Sequence, residues 1–105
     1  VTGNTVVITG GSQGVGRAAA LVFARNRYNV VIAARNPEKL AAADAQLGSA
    51  CARADAHLAL STDITDAAAV QRLVDAVTAK FEMVTTLINC AGGVFVLYPV
   101  CVWHV

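Results

Sequence analysis

The sequence predicts an α/β fold: a partial doubly wound parallel sheet of four strands in the order 3-2-1-4, with three helices. Three observations predict it. Short β-type runs recur at Thr5-Val6-Val7-Ile8, Val30 to Ala34, His57 to Thr62 and Thr86 to Asn89. Segments with helical apolar spacing lie between them, and regular alternation of strand and helix gives parallel strands joined by right-handed crossovers. Hydrophobic residues make up 56% of the chain and charged residues 14%, the balance expected where central strands are buried on both faces.

The first strand is expected over Asn4 to Thr9, buried and β-branched. The first helix follows from Gly16 to Arg25 or Asn26. Val15, Ala19, Val22 and Phe23 share a face at helical spacing and are expected against the sheet. Val30 to Ala34 is the second strand. Asn36 then offers a cap, Pro37 a first helical position and Glu38 an acid in the first turn. Leu40, Ala43, Leu47 and Cys51 line one face of this second helix, which Gly48 weakens or ends early. His57 to Thr62 is the third strand. Thr65-Asp66 starts the third helix, where Val70, Leu73, Val74, Val77 and Phe81 form an apolar stripe. Thr86 to Asn89 is the fourth strand.

The stretch Thr9-Gly10-Gly11-Ser12-Gln13-Gly14-Val15-Gly16 lies between the first strand and the first helix. A glycine-rich turn there suits a phosphate: glycines let the backbone approach the anion, and the helix's free N–H groups and dipole face it. The spacing is Gly-x-x-x-Gly-x-Gly. It differs from the general dinucleotide fingerprint Gly-x-Gly-x-x-Gly, and no Lys follows Gly16 as in a P-loop. The competing reading is a strand–helix connection with no ligand.

At 105 residues the chain has room for one small domain. Its formal charge of +1 provides no basic patch for nucleic acid. The three cysteines, Cys51, Cys90 and Cys101, form no Cys-x-x-Cys pair and have no His at metal spacing. No metal site is therefore expected. An odd count suits the cytoplasm or another reducing compartment. A targeting segment already trimmed from the chain would be invisible, so an organelle stays open.

Thr-Gly-x-x-x-Gly-x-Gly, together with Asp63-Ile64 after the third strand and Asn89-Cys90-Ala91-Gly92 after the fourth, resembles the short-chain dehydrogenase/reductase family. The resemblance covers residues 4 to 93 and implies the first, cofactor-binding half of a Rossmann-type domain. It implies a dinucleotide held by Thr9, Gly10, Ser12, Gln13, Gly14, Val15 and Gly16. Asp63 with Ile64 would meet the adenine, with helix capping as the alternative role for Asp63. Asn89 would tie its strand end to neighbouring backbone, and the small Ala91 and Gly92 would let the ribose approach. Cys90 stands where the family has Asn. At the end of the first helix the family usually has Gly; here the position is Arg27, with Asn26 beside it as another residue able to turn left-handed.

The end of the second strand reads Ala33-Ala34-Arg35-Asn36, with no acid to bond ribose hydroxyls and repel a 2′-phosphate. Arg35 can contact a phosphate bidentately, and Asn36 can add a donor if its side chain is not engaged in capping. NADP is therefore favoured over NAD. Gln13 departs from this pattern, since many NADP-preferring relatives carry a basic residue there.

The resemblance also implies a carbonyl or alcohol substrate, homo-oligomeric full-length relatives, and a catalytic Ser, Tyr and Lys with Tyr-x-x-x-Lys spacing. Those residues lie beyond the fourth strand. Here Tyr28 and Tyr98 are followed four positions on by Ile32 and Val102. No catalytic residue is assigned, and the chain is expected to be the cofactor half of a longer oxidoreductase, inactive by itself. The other reading is a non-catalytic nucleotide-binding or interaction module. Residues 1–93 form the expected half-domain and 94–105 an apolar tail of uncertain origin. The tail is short of the roughly 20 residues that span a bilayer as a helix, so a foreign tail is preferred to a membrane anchor. Ile88 and this tail would be exposed, or would fold back over the edge of the fourth strand.

Overall fold

The computed structural model describes residues 3–51, 53, 55–90 and, for the backbone alone, 96–99. Strands β1 (Thr5–Thr9), β2 (Asn29–Ala34), β3 (His57–Ser61) and β4 (Thr86–Asn89) alternate with helices α1 (Gly14–Arg25), α2 (Pro37–Ala50) and α3 (Ala67–Lys80). The four strands are parallel and lie in the order β3-β2-β1-β4, as the alternation predicts. β1 is fully buried at the centre of this set.

Strand pleating sends alternate residues to opposite faces. Val6, Ile8, Val30, Ile32 and Ile88 pack with Ala20, Ala24, Leu40, Ala43 and Leu47 of α1 and α2. Val7, Val31 and Ala33 pack with Leu73, Val77, Phe81 and Val84 on the α3 side. Two thin cores thus sandwich one sheet.

A fifth strand, β5 (Val96–Pro99), was not foreseen in the apolar tail. It runs antiparallel to β4, from Asn89↔Val96 to Thr86↔Pro99. Six residues separate the two strands, too few for a parallel crossover, which needs a dozen or more. The reversal is therefore forced, and it pairs the otherwise open side of β4. Pro99 is tolerated because β5 is the edge. Within the tail, Val96 to Pro99 fold back onto the edge of β4, and Ile88 is buried; positions 94, 95 and 100–105 lie outside the described residues.

The expected face of α1 is wrong in part. Val15 is 66% exposed and Val22 54%, whereas Gly16, Ala20 and Ala24 are buried. Ala19 and Phe23 are half-buried at the margin. The reason is clearance: a Cβ on Gly16 would overlap the Gly10 carbonyl. The smallest residues, at spacing i, i+4, i+8, must face the sheet for the helix to sit so close, and the valines are turned outward.

The end of α1 has the anticipated left-handed residue. It is Arg27, with φ 67°, and not Asn26, with φ −97°. Arg27 N–H donates to Ala24 O at 3.2 Å and Tyr28 N–H to Phe23 O at 3.1 Å, the paired bonds of a Schellman cap. The Phe23 and Tyr28 rings meet edge to face, with centroids 4.8 Å apart, and close the apolar side of the cap.

α2 runs through Gly48 to Ala50 and does not end early. Buried Leu40, Ala43 and Leu47 anchor it up to the glycine, and half-buried Ala50 packs against the same core beyond it. Cys51 lies one residue past the helix, half-buried against the core, and burial raises its thiol pKa. Asp44 of α2 contacts His57 Nδ1 at 2.6 Å. α3 is capped by Asp66, whose Oδ1 accepts from Ala68 N–H at 3.0 Å. Its stripe is buried at Leu73, Val74, Val77 and Phe81, while Val70 is half-buried.

The N-terminal strand ends are closed by polar contacts. Asn29 Nδ2 donates to Thr5 Oγ1 at 3.2 Å, and Arg53 donates to Asn29 Oδ1 at 2.5 Å. Thr5 and Asn29 are fully buried. Among the described residues no helix is long and apolar enough to cross a membrane.

Candidate dinucleotide site

Parallel strands end together, so their C-terminal ends collect whatever follows them. Thr9, Ala34, Ser61 and Asn89 are those ends. The glycine turn, Arg35-Asn36, Asp63-Ile64 and Asn89 are thereby brought to one edge of the sheet, although up to 80 positions separate them.

The glycine turn is shaped by three separate demands. Gly10 and Gly14 have positive φ, 72° and 59°, which other residues adopt only at a cost. Gly11 lies where a Cβ would come within 2.6 Å of Ile32 Cγ2. Gly16 carries the close helix contact already described. Gly10 N–H donates to Ala33 O at 2.8 Å and pins the turn to β2. A Cβ on Gly14 would meet nothing within 4 Å, so that side of the turn is open. Ser12 is buried within the turn, while Gln13 and Val15 are exposed.

α2 and α3 start with side-chain caps from Asn36 and Asp66. α1 does not. Its N-cap residue, Gln13, makes no side-chain cap bond, and its first turn contains no acid. The leading N–H groups of α1 thus keep their capacity for an anion, next to open space. A dinucleotide pyrophosphate fits these features.

Thr9 Oγ1 donates to Asn89 Oδ1 at 2.5 Å. Asn89 therefore ties its strand end to a neighbouring side chain, where a backbone contact was expected. Cys90 N–H donates to Thr9 O at 3.0 Å. Burial raises the Cys90 thiol pKa, the opposite of what a thiolate nucleophile requires. Ala91 and Gly92 lie outside the described residues.

Arg35 and Asn36 are both exposed at the end of β2. Asn36 Oδ1 caps α2, accepting from Glu38 N–H at 3.0 Å and Lys39 N–H at 3.1 Å. Capping was expected to compete with ligand donation. It does not, because the cap uses the oxygen and leaves the Nδ2 donors unengaged among the described residues. Asp63 Oδ1 accepts from Thr65 Oγ1 at 2.6 Å and from Thr65 N–H at 3.0 Å. These bonds, with a smaller contribution from the Arg35 charge, hold the Asp63 carboxyl below its ordinary pKa. Asp63 thus organises its own turn, and Asp66 caps the helix. Ile64 is 42% exposed.

Lys39 was not among the candidate residues singled out in the sequence. Its Nζ donates to Gln13 Oε1 at 3.0 Å, across to the glycine turn. The available signal was its place in the first turn after a strong cap, which points that turn at the strand ends.

A family model described as short chain dehydrogenase matches residues 4–100. The chain is 44% identical over 92 residues to the short chain dehydrogenase/reductase dpmpG of Macrophomina phaseolina, covering 88% of this chain and 51% of that protein. It is 34% identical over 94 residues to the NADPH-dependent pterin aldehyde reductase of Arabidopsis thaliana, covering 90% of this chain and 37% of the relative. The fold matches a short-chain type dehydrogenase/reductase from Mycobacterium ulcerans with TM-score 0.80 and 37% identity, over 88% of this chain and 34% of that one. The chain thus spans about half the length of the first relative and about a third of the other two. With the glycine turn, the strand order and these likenesses in agreement, the chain belongs to the short-chain dehydrogenase/reductase family, whose members bind NAD(P).

Proposed function

We propose that this chain is the NADP(H)-binding part of an oxidoreductase that moves hydride between NADP(H) and a carbonyl or alcohol substrate. The observation that carries the cofactor choice is Arg35, exposed at the end of β2, in a segment with no acid. A 2′-phosphate meets a guanidinium there, and the strand end itself, Ala33 to Asn36, contains no carboxylate to repel it. Asn36 adds its free amide donors. One of the relatives is named as NADPH-dependent, which agrees with this reading.

Each residue has a stated task. The N–H groups at the start of α1 and the backbone of Gly10 to Gly16 hold the pyrophosphate. Val15 and Ile64, apolar and uncovered, provide walls for the ring systems. Asp63 faces the adenine amino group. Thr9 and Asn89 fix the two central strand ends, and Ala91 with Gly92 leave room for the nicotinamide ribose. The bound cofactor supplies the hydride. The residues here bind and orient it, and the sequence has no Tyr-x-x-x-Lys pair to move the substrate proton.

The test is a fluorescence titration of NADPH and NADH against the protein and its Arg35→Asp variant. NADPH is expected to bind more tightly, and Arg35→Asp to reverse the order by removing a cation and adding a repulsive charge. Tighter NADH binding by the unaltered protein overturns the reading.

A further inference from the structure

Position 13 of the glycine turn is neutral, yet the turn does have a cation beside it. Lys39 Nζ reaches Gln13 Oε1 from α2 at 3.0 Å. The Asn36 cap accepts from the Lys39 backbone N–H and so fixes the turn that carries the side chain. Among the described residues neither Lys39 nor Arg35 forms an ion pair, the pair recorded there being Asp44 with His57. The Gln13 oxygen engages one of three ammonium donors and neutralises none of the charge.

We propose that Lys39 is the second cation of the 2′-phosphate site, delivered from α2 and held at the glycine turn by Gln13. The inference rests on the NADP(H) reading above. A phosphate monoester carries about −1.5 to −2 charge at neutral pH, which Arg35 alone leaves partly unbalanced. Lys39 completes the balance. Gln13 restrains the ammonium before the ligand arrives, so less side-chain freedom is lost on binding. In this protein the neutral residue in the turn positions a cation that another element supplies. NADH, with no 2′-phosphate, gains nothing from Lys39.

The experiment uses two probes that differ only in the group at issue, adenosine 2′,5′-bisphosphate and adenosine 5′-monophosphate. Both are titrated by calorimetry against the protein and its Lys39→Met, Lys39→Arg, Gln13→Ala and Arg35→Asp variants. Met keeps the long apolar stem of an exposed residue, and thermal unfolding checks that each variant is folded. Lys39→Gln replaces it should Met disturb the fold. Lys39→Met is expected to weaken the bisphosphate roughly 5- to 20-fold, the range for a charge-assisted contact discounted for solvent exposure. The monophosphate should change less than about 2-fold, Lys39→Arg should keep most of the affinity, and Gln13→Ala should fall between. Equal loss for both probes, or no loss for either, overturns the inference and leaves Lys39 as a strut between α2 and the turn. If the unaltered protein binds neither probe or does not prefer the bisphosphate, the NADP(H) reading fails and Lys39 with it. A preference abolished by Arg35→Asp and untouched by Lys39→Met removes Lys39 alone.

Discussion

Arg27 is the one described non-glycine residue with positive φ, and replacing it should stabilise the chain. Its φ of 67° puts Cβ against the neighbouring carbonyl, which costs an L-residue roughly 1–2 kcal/mol. The two Schellman bonds and the Phe23–Tyr28 contact hold it there. Arg27→Gly removes the clash. It also gives the unfolded chain more freedom, which offsets part of the gain. The loss of a cation near the helix C-terminus removes a few tenths of a kcal/mol more. The net expectation is a gain of about 0.5–1 kcal/mol, or an increase of about 2–8 °C in Tm for a domain near this size.

The control that isolates backbone strain is Arg27→Ala, which loses the same charge and keeps Cβ. Urea denaturation followed by circular dichroism should rank Gly above Arg and leave Ala at or slightly below it. Arg27→Asn should fall between, since Asn tolerates the left-handed region. NADPH affinity should not change in any of them, because Arg27 is at the opposite end of α1 from the glycine turn. If Arg27→Gly proves no more stable than Arg27→Ala, left-handed strain is not what limits this cap, and the argument fails.

Gly16→Ala should destabilise the fold by about 1–3 kcal/mol, an overpacking cost, and weaken NADPH and NADH alike, because its Cβ would displace the Gly10 carbonyl; a variant with unchanged urea midpoint contradicts this. Asp63 has a depressed pKa, so its contribution to stability is present above the unfolded-state carboxylate pKa and is lost as pH falls through the lower folded-state value. Thr65→Val, which removes the hydroxyl donor, should raise the Asp63 pKa toward normal, as read by carbon NMR of its carboxyl across an acid titration. The 105-residue chain alone should show no NADPH-dependent reduction of a panel of carbonyl compounds above the protein-free blank, since neither of its tyrosines has a Lys at Tyr-x-x-x-Lys spacing.

Most of the sheet was legible because its signals are local. Val6, Val7, Ile8 and Val30 to Ile32 are β-branched runs that have no comparable use outside buried strands. Asn36-Pro37 and Asp66 are caps whose chemistry works over three residues. The strand ends followed once the order was set, and with them the gathering of Thr9, Arg35, Asp63 and Asn89 at one edge. The choice between Arg27 and Asn26 was harder to read, because both can take the left-handed turn and only the register of the Schellman bonds decides it.

What escaped the sequence depended on distance and size. Apolar spacing ranks Val15 and Val22 above Gly16 and Ala20, because hydrophobicity grows with side-chain area. Close contact between α1 and the glycine turn inverts that ranking, since the gap admits only a hydrogen or a methyl group. The cost is two valines turned outward, and one of them, Val15, then stands uncovered beside the open side of Gly14. The same close approach keeps the first N–H groups of α1 beside the strand ends. A larger residue at position 16 would move them away from any phosphate lying there. The packing that misled the reading of the helix face is therefore the packing the proposed anion site would require, and the exposed Val15 follows from the close contact of Gly16 with Gly10 and is not a flaw in the core.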